Sequence, residues 1–479
     1  MATTLPVPVA GPWHMPPGLK RSLPFYALKP WVKLGSPILL FEHLHRTYGN
    51  IAHYQFMGTP IIFVNDPDFI REILVTQASS FVKERTVKRM KILLGEGLIT
   101  SEEPFHMRQR RIAAPAFHRQ RIAAYGDQIV ASAVAAADKI QPGEPFDIAA
   151  ASMALSLEIV ARTLFDTRVD EDILRINDEV NTIMGLYNFI VAFPRIESFL
   201  HLPIPGIVRF RKSKARLDAV VDRLIREHRE AVRTAEAKGV DSDRGDLLSM
   251  LLSSRDELLD ANGQPTGEST AMSDPQVRDE VLTIFLAGYE TVANGLTWTW
   301  YLLSQNPEVE ARLHAELDQV LGTGPNRRLP TLADYPALRY TEQVFAESMR
   351  LFPPAWAMGR MSTRPVTLGP WRIPPGAHFF FSQYMMSRTE EYFPDPLRFD
   401  PDRFTPEAKA SRPKYTYFPF GGGSRQCIGE AFAWMEGVFS IATLAQRWRF
   451  RYAGTTPPVP QAKITLRPRD PLQMIATPR

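Results

Sequence analysis

Residues 274–304 set the terms for any fold of this chain. Ser273 or Asp274 can cap a helix there, Pro275 suits its first turn, and Asn306-Pro307 stops it. Some 30 residues of helix run about 45 Å, enough to cross a whole protein. Val281, Leu282, Ile284, Phe285, Leu286, Val292, Leu296, Trp298 and Trp300 make it apolar on most sides. A membrane span is the competing reading. Against it stands Glu290, where a carboxylate costs roughly 2.5–3.5 kcal/mol to insert, with Asn294 close by. The expectation is a helix buried through a large core. Its one polar interruption is Ala287-Gly288-Tyr289-Glu290-Thr291. Small residues let another group approach the backbone, and a threonine hydroxyl can bond the i−4 carbonyl. A buried acid beside an alcohol is expensive unless it is used or satisfied, so an internally satisfied polar kink is the bland alternative.

The second constraint is the only cysteine, Cys427, which excludes an intrachain disulfide and any CxxC pair. A lone cysteine is ordinarily a small buried hydrophobe. Here Gly421, Gly422 and Gly423 precede it, and the residues from Glu430 to Glu436 read as the opening of a helix. The sulfur is thus delivered to a helix N-terminus, where free N–H groups and the positive dipole end stabilise a thiolate. Arg425 adds a positive charge. A zinc site needs further Cys or His nearby, a nucleophile needs a distant His, and a phosphate loop needs Lys-Ser/Thr where this chain has Ser424-Arg425. A metal whose in-plane ligands come from a macrocycle needs one protein ligand, and haem iron bound by a cysteine thiolate fits.

Phe420, Gly423, Arg425, Cys427 and Gly429 stand at the spacing F-x-x-G-x-R-x-C-x-G, which resembles the haem-ligand signature of the cytochrome P-450 family. Three more motifs stand in the order and spacing of that family, and the resemblance covers nearly the whole chain, from about Pro30 to the C-terminus. The resemblance implies a mainly α fold with a small β lobe, haem b (iron protoporphyrin IX) lying between the long central helix and the cysteine loop. It places Ala287 and Gly288 over the haem face, with Glu290 and Thr291 organising the water that delivers protons to activated dioxygen. His106 and Arg110, four apart on one helix face, correspond to the pair that bonds a haem propionate, where most members carry Trp at the first position. Without the family, that stretch is a solvated basic face. Arg360 and Arg425 become the other propionate partners, and Gly421 joins the haem-contacting loop. Glu347-Ser-Met-Arg350 matches the E-x-x-R signature, joined by Arg403 of Pro401-Asp-Arg-Phe404, a structural ion network rather than reactive groups. Phe285, Leu286, Ala355, Trp356, Ala357 and Met358 edge a hydrophobic substrate pocket, with ordinary core the alternative for the Trp and the Met. Residues 188–206, apolar and broken by prolines, map to a lid over the substrate channel.

The reaction implied is insertion of one oxygen atom from dioxygen into a hydrophobic small molecule: a fatty acid, terpenoid, carotenoid or polyketide. No G-x-G-x-x-G follows a strand, so electrons come from a separate ferredoxin or flavodoxin and its reductase. Arg108, Arg111, Arg412 and Lys414 are the candidate docking cations. A peroxide-driven or oxygen-independent enzyme and a non-enzymatic haem sensor or carrier are the alternatives.

Charges nearly balance, 56 basic against 52 acidic, and no basic run carries interleaved aromatics, so nucleic acid is not expected. Residues 1–30 form a Pro-rich arm ahead of a single domain over 31–479. That arm shows neither a signal peptide nor an apolar anchor, so a cytoplasmic monomer without a membrane span is expected. Helices are expected over 37–48, 247–252 and 340–351, with strands over 51–56 and 60–64 and a helix opening at Asp66-Pro67. Residues 256–273 read as a polar surface loop. His43 and His45, two apart, face different sides of their helix and make no metal site.

Overall fold

The computed structural model describes residues 12–26, 29, 37–165, 179, 182, 201–238, 246–253, 255–259 and 265–479. Most of the expected lid, residues 188–200, lies outside them. The chain forms two compact units. One draws on the residues up to Arg85, Ala346–Cys427 and Thr456–Asp470; the other on Thr86–Phe345, Ile428–Thr455 and Pro471–Arg479.

The first unit is organised by a six-stranded sheet in the order Gly18–Ser22, Ile51–Phe56, Thr59–Val64, His378–Phe381, Met358–Ser362, Phe81–Lys83. Thr59–Val64 lies parallel to His378–Phe381, and both flanks are antiparallel. Alternation along Thr59–Val64 sends Ile62 and Val64 into one core with Phe379, Phe381 and Phe418. Ile61 and Phe63 enter another with Phe41, Leu44 and Trp356. Both faces are therefore covered. The described part of the N-terminal arm hugs this unit, Gly18–Ser22 pairing with Ile51–Phe56 and His14 bridging to Arg372. The expected helix Pro37–Tyr48 is present, as is the helix Pro67–Arg71, whose cap Asp66 accepts from the N–H groups of Asp68 and Phe69.

The second unit is built around the helix Asp274–Gln305. Ser273 and Gln276 form a capping box at its start, and Asn306 Nδ2–H donates to the Leu302 carbonyl at its end. Against it pack Ile148–Leu164 and Glu430–Arg447, with Arg119–Asp138 behind them. Close approach demands glycine at two places. A Cβ on Gly437 would stand 2.2 Å from the Phe345 ring, and one on Gly126 3.2 Å from the Phe439 ring. Glu436 lies in this core, fully buried, with Ser156 Oγ–H donating to its Oε1. Its Oε2 and the Ser440 and Thr443 hydroxyls, one and two turns further along the helix, have no partner among the described residues. Burial pushes the Glu436 carboxyl up to about 8.

The expected surface loop over 256–273 is instead largely a hairpin, Arg255–Leu259 antiparallel to Pro265–Ala271. The sequence between the strands contains Asn262-Gly263, a strong hairpin signal that the polar composition outweighed. Among the described residues no helix is long and apolar enough to cross a membrane.

Candidate haem site

The cysteine loop belongs to the first unit. Cys427 N–H donates to the Phe420 carbonyl (2.9 Å), closing an eight-residue loop, and Gly421 N–H donates to Phe418 (2.9 Å). Gly421 and Gly423 hold φ of +75° and +70°. At Gly423 a Cβ would also stand 2.1 Å from the Leu74 carbonyl oxygen, so glycine is required there twice over. Cys427 is exposed and stands two residues before Gly429, the cap of the helix Glu430–Arg447. The loop thus presents the sulfur just ahead of a helix N-terminus. Met358 lies against it, its Sδ 3.5 Å from where a Gly421 Cβ would be.

In the second unit the long helix is buried at every position from Glu280 to Trp300 except four: Ala287, Gly288, Glu290 and Thr291. These are the motif residues, half-exposed in an otherwise sealed helix. Thr291 Oγ–H donates to the Ala287 carbonyl (2.7 Å), and Asn294 Nδ2–H donates to the Glu290 carbonyl (2.9 Å). Phe285 is buried between Phe165 and Tyr289, and Leu286 is buried beside it in sequence.

The expected propionate partners divide between the units. His106 and Arg110 share the helix Phe105–Ala113; His106 is buried, Arg110 half-buried. Glu103 holds His106, its Oε1 3.0 Å from Nδ1, and its Oε2 accepts from Met107 N–H. Glu103 was missed from sequence, although an acid three residues before a helical histidine is a readable signal. Arg360 stands half-buried on the strand Met358–Ser362, and Arg425 half-buried on the 3-10 turn Gly423–Arg425.

Glu347 and Arg350 are buried, and the guanidinium grips the carboxylate with Nε (2.6 Å) and Nη2 (2.7 Å). Arg350 also donates to the carbonyls of Ser387, Pro396 and Arg398, and Asp400 N–H donates to Glu347 (2.9 Å). Arg403 Nε approaches Glu347 at 3.6 Å while its Nη2 donates to Pro394 and Asp395. One ion pair thus ties together the segment over 387–403, which leads into the cysteine loop.

Two expected side chains are committed elsewhere. Trp356 is core: its ring packs near Phe41, and its Nε1–H donates to the Lys463 carbonyl (2.8 Å). Ala355 and Ala357 beside it are half-exposed. Arg412 is no free docking cation, because its guanidinium lies over Phe393 and Phe404 and donates to the Arg403 carbonyl. Arg111 and Lys414 are exposed and Arg108 half-buried.

The residues present fit a haem. In the first unit these are the exposed sulfur, the glycine-shaped loop behind it and the half-buried Arg360 and Arg425; in the second, the half-buried Arg110 and a helix opened at four motif residues.

The family model "Cytochrome P450" matches residues 16–476. Cyclooctatin synthase of Streptomyces melanosporofaciens is 36% identical over 437 residues, covering 90% of this chain and 89% of that protein. Cyclooctat-9-en-7-ol 5-monooxygenase of the same organism is 36% identical over 438 residues with the same coverage. Pentalenene oxygenase of Streptomyces avermitilis is 32% identical over 421 residues, covering 88% of each. In fold, the chain is similar to the crystal structure of the cytochrome P450DA heme domain, with a TM-score of 0.82 at 22% identity and 98% of both chains covered. The chain belongs to the cytochrome P450 family, and it is a haem b monooxygenase acting on a hydrophobic small molecule.

Proposed function

We propose that this monooxygenase hydroxylates a terpenoid, with electrons supplied by a separate ferredoxin or flavodoxin. What carries the substrate class is the 36%, 36% and 32% identity to cyclooctatin synthase, cyclooctat-9-en-7-ol 5-monooxygenase and pentalenene oxygenase, each over close to nine-tenths of the chain.

Haem b, when bound, supplies the oxygen-activating chemistry; the chain supplies binding, orientation, protons and a dry site. Cys427 is the metal ligand, kept as thiolate by its place ahead of a helix N-terminus. Arg110, Arg360 and Arg425, with His106 held by Glu103, neutralise the two propionates. Phe420, Gly421 and Gly429 shape the loop around the sulfur, and Ala287 leaves room above the long helix, whereas the missing Cβ of Gly288 admits Val160 of Ile148–Leu164, whose Cγ2 would stand 3.1 Å from it. Glu290 and Thr291 organise the water that delivers protons, Thr291 by exchanging its bond to the Ala287 carbonyl for one to that water. Phe285, Leu286, Ala355, Ala357 and Met358 offer apolar walls that exclude bulk water.

The test titrates haem-loaded protein with cyclic terpene hydrocarbons and alcohols, free fatty acids, carotenoids and macrolides, following the Soret band. Ligands that shift it are then turned over under labelled dioxygen with ferredoxin and reductase. Cyclic terpenoids are expected to shift the band and gain one labelled oxygen. A response to straight-chain fatty acids alone would overturn the substrate class, and turnover only with hydrogen peroxide would overturn the electron route. Charge reversal at Arg108, Arg111 and Lys414 should slow reduction and flatten its salt dependence.

A further inference from the structure

Loop 94–101 lies directly on the first turns of the long helix, and two glycines allow it. Gly95 has φ of +55°, and a Cβ there would stand 2.0 Å from Asp279 Oδ2. A Cβ on Gly97 would stand 2.0 Å from Thr283 Oγ1 and 2.7 Å from the Asp279 carbonyl oxygen. With no side chains in the way, the loop backbone is gripped by two adjacent carboxylates. Glu96 N–H donates to Asp279 Oδ2 (2.8 Å), and Leu98 N–H donates to Glu280 Oε2 (3.0 Å). Thr100 Oγ–H closes the loop on the carbonyls of Gly95 (2.7 Å) and Gly97 (3.1 Å). Glu280 is wholly buried and Leu98 and Thr283 are buried. Burying a carboxylate is costly unless donors meet it, and here a single loop brings one backbone donor to each of the two.

The position of this grip gives it a consequence. Thr283 stands four residues, one helical turn, before Ala287, the first of the half-exposed motif residues. At its other end the loop leads into Phe105–Ala113, the helix of His106 and Arg110. A shift of the loop therefore moves the apolar edge at Leu98 relative to the opened part of the long helix.

We propose that Asp279 and Glu280 are positioning residues for substrate: by gripping loop 94–101 they hold the buried Leu98 against the long helix two turns ahead of Ala287, and so determine how well a bulky ligand is retained over the motif. The proposal rests on the haem monooxygenase reading. It is tested on the holoenzyme with Asp279→Leu and Glu280→Met, which remove the acceptors, and Asp279→Asn and Glu280→Gln, which keep one. The probes are 1-methylimidazole and clotrimazole, both nitrogen ligands followed by the Soret band, one small and one bulky. Amide exchange of residues 94–101 is measured in parallel.

Removing an acceptor is expected to speed that exchange about tenfold or more. It should weaken clotrimazole about tenfold while leaving 1-methylimidazole within about twofold, and the Asn and Gln variants should restore both. Faster exchange with an unchanged ratio of the two Kd values means the grip is merely structural, and overturns the proposal. Unchanged exchange overturns it as well. If the acceptor-free variants fail to fold, Gly97→Ala, which displaces the loop and leaves both carboxylates in place, must weaken clotrimazole selectively; an unchanged ratio there is equally fatal. A wild type whose Soret band ignores 1-methylimidazole would instead sink the haem reading, and this proposal with it.

Discussion

Glu436 contributes a stability that falls as pH rises, and replacing it with glutamine should remove that contribution. Its ordinary value is 4.5, and burial raises it to about 8, with only the Ser156 hydroxyl pulling the other way. Below about pH 4.5 the carboxyl is protonated folded or unfolded, and pH does not matter. Between about 4.5 and 8 the folded protein keeps a proton that the unfolded chain releases, so unfolding is favoured by about 1.4 kcal/mol for each pH unit. From about pH 5 to about pH 8 the loss is about 4 kcal/mol, a large part of the stability of an ordinary domain. Above the folded value both states are ionised and the loss levels off. Glu436→Gln keeps the shape, carries no charge in either state, and can still accept from Ser156 Oγ–H. Urea midpoints and slopes for wild type and variant across that range read out the difference. The variant should gain about 4 kcal/mol on wild type between the two ends. Curves running parallel to within about 1 kcal/mol would refute the claim that the buried carboxyl stays protonated.

Four shorter predictions concern the site. Gly423→Ala should prevent formation of the cysteine loop, seen as loss of haem retention, because its Cβ meets the Leu74 carbonyl at 2.1 Å. Gly421→Ala, which meets only Met358, should cost no more than the backbone strain of about 1–2 kcal/mol. Glu347→Ala strands the Arg350 guanidinium in a buried site and should destabilise by about 3–5 kcal/mol, read as a lowered thermal midpoint. Thr291→Ala should leave haem binding intact while cutting product formation about 100-fold or more relative to electron consumption, measured as product formed per reductant oxidised.

What the sequence makes legible follows from where the determining forces act. The long helix is announced by its own ends, Ser273 with Pro275 and Asn306 with Pro307, and its burial by apolar residues on most sides with the interruption at 287–291. The cysteine loop is equally local, since φ above zero at Gly421 and Gly423 is written into residue type. Long-range partners leave no such trace. Nothing near Leu98 in the sequence tells that its N–H meets Glu280, 182 residues away, or near Asp400 that its N–H meets Glu347. Trp356 shows the other difficulty, because a pocket wall and a core wall demand the same apolar surface. Only the indole's bond to the Lys463 carbonyl separates them. In the hairpin over 255–271, polar strands hid a register that Asn262-Gly263 had signalled.

The strand Gln473–Pro478 lies between Trp448–Tyr452 and Pro145–Asp147, so one edge of the helical unit waits for a piece made more than 320 residues later. At about 5–20 residues per second the ribosome needs roughly 15–65 s to bridge that gap. The sheet-bearing unit likewise stays incomplete until Thr456–Asp470 has emerged. Until residues 456–478 have been made neither unit can be completed, so the final topology closes only late in synthesis.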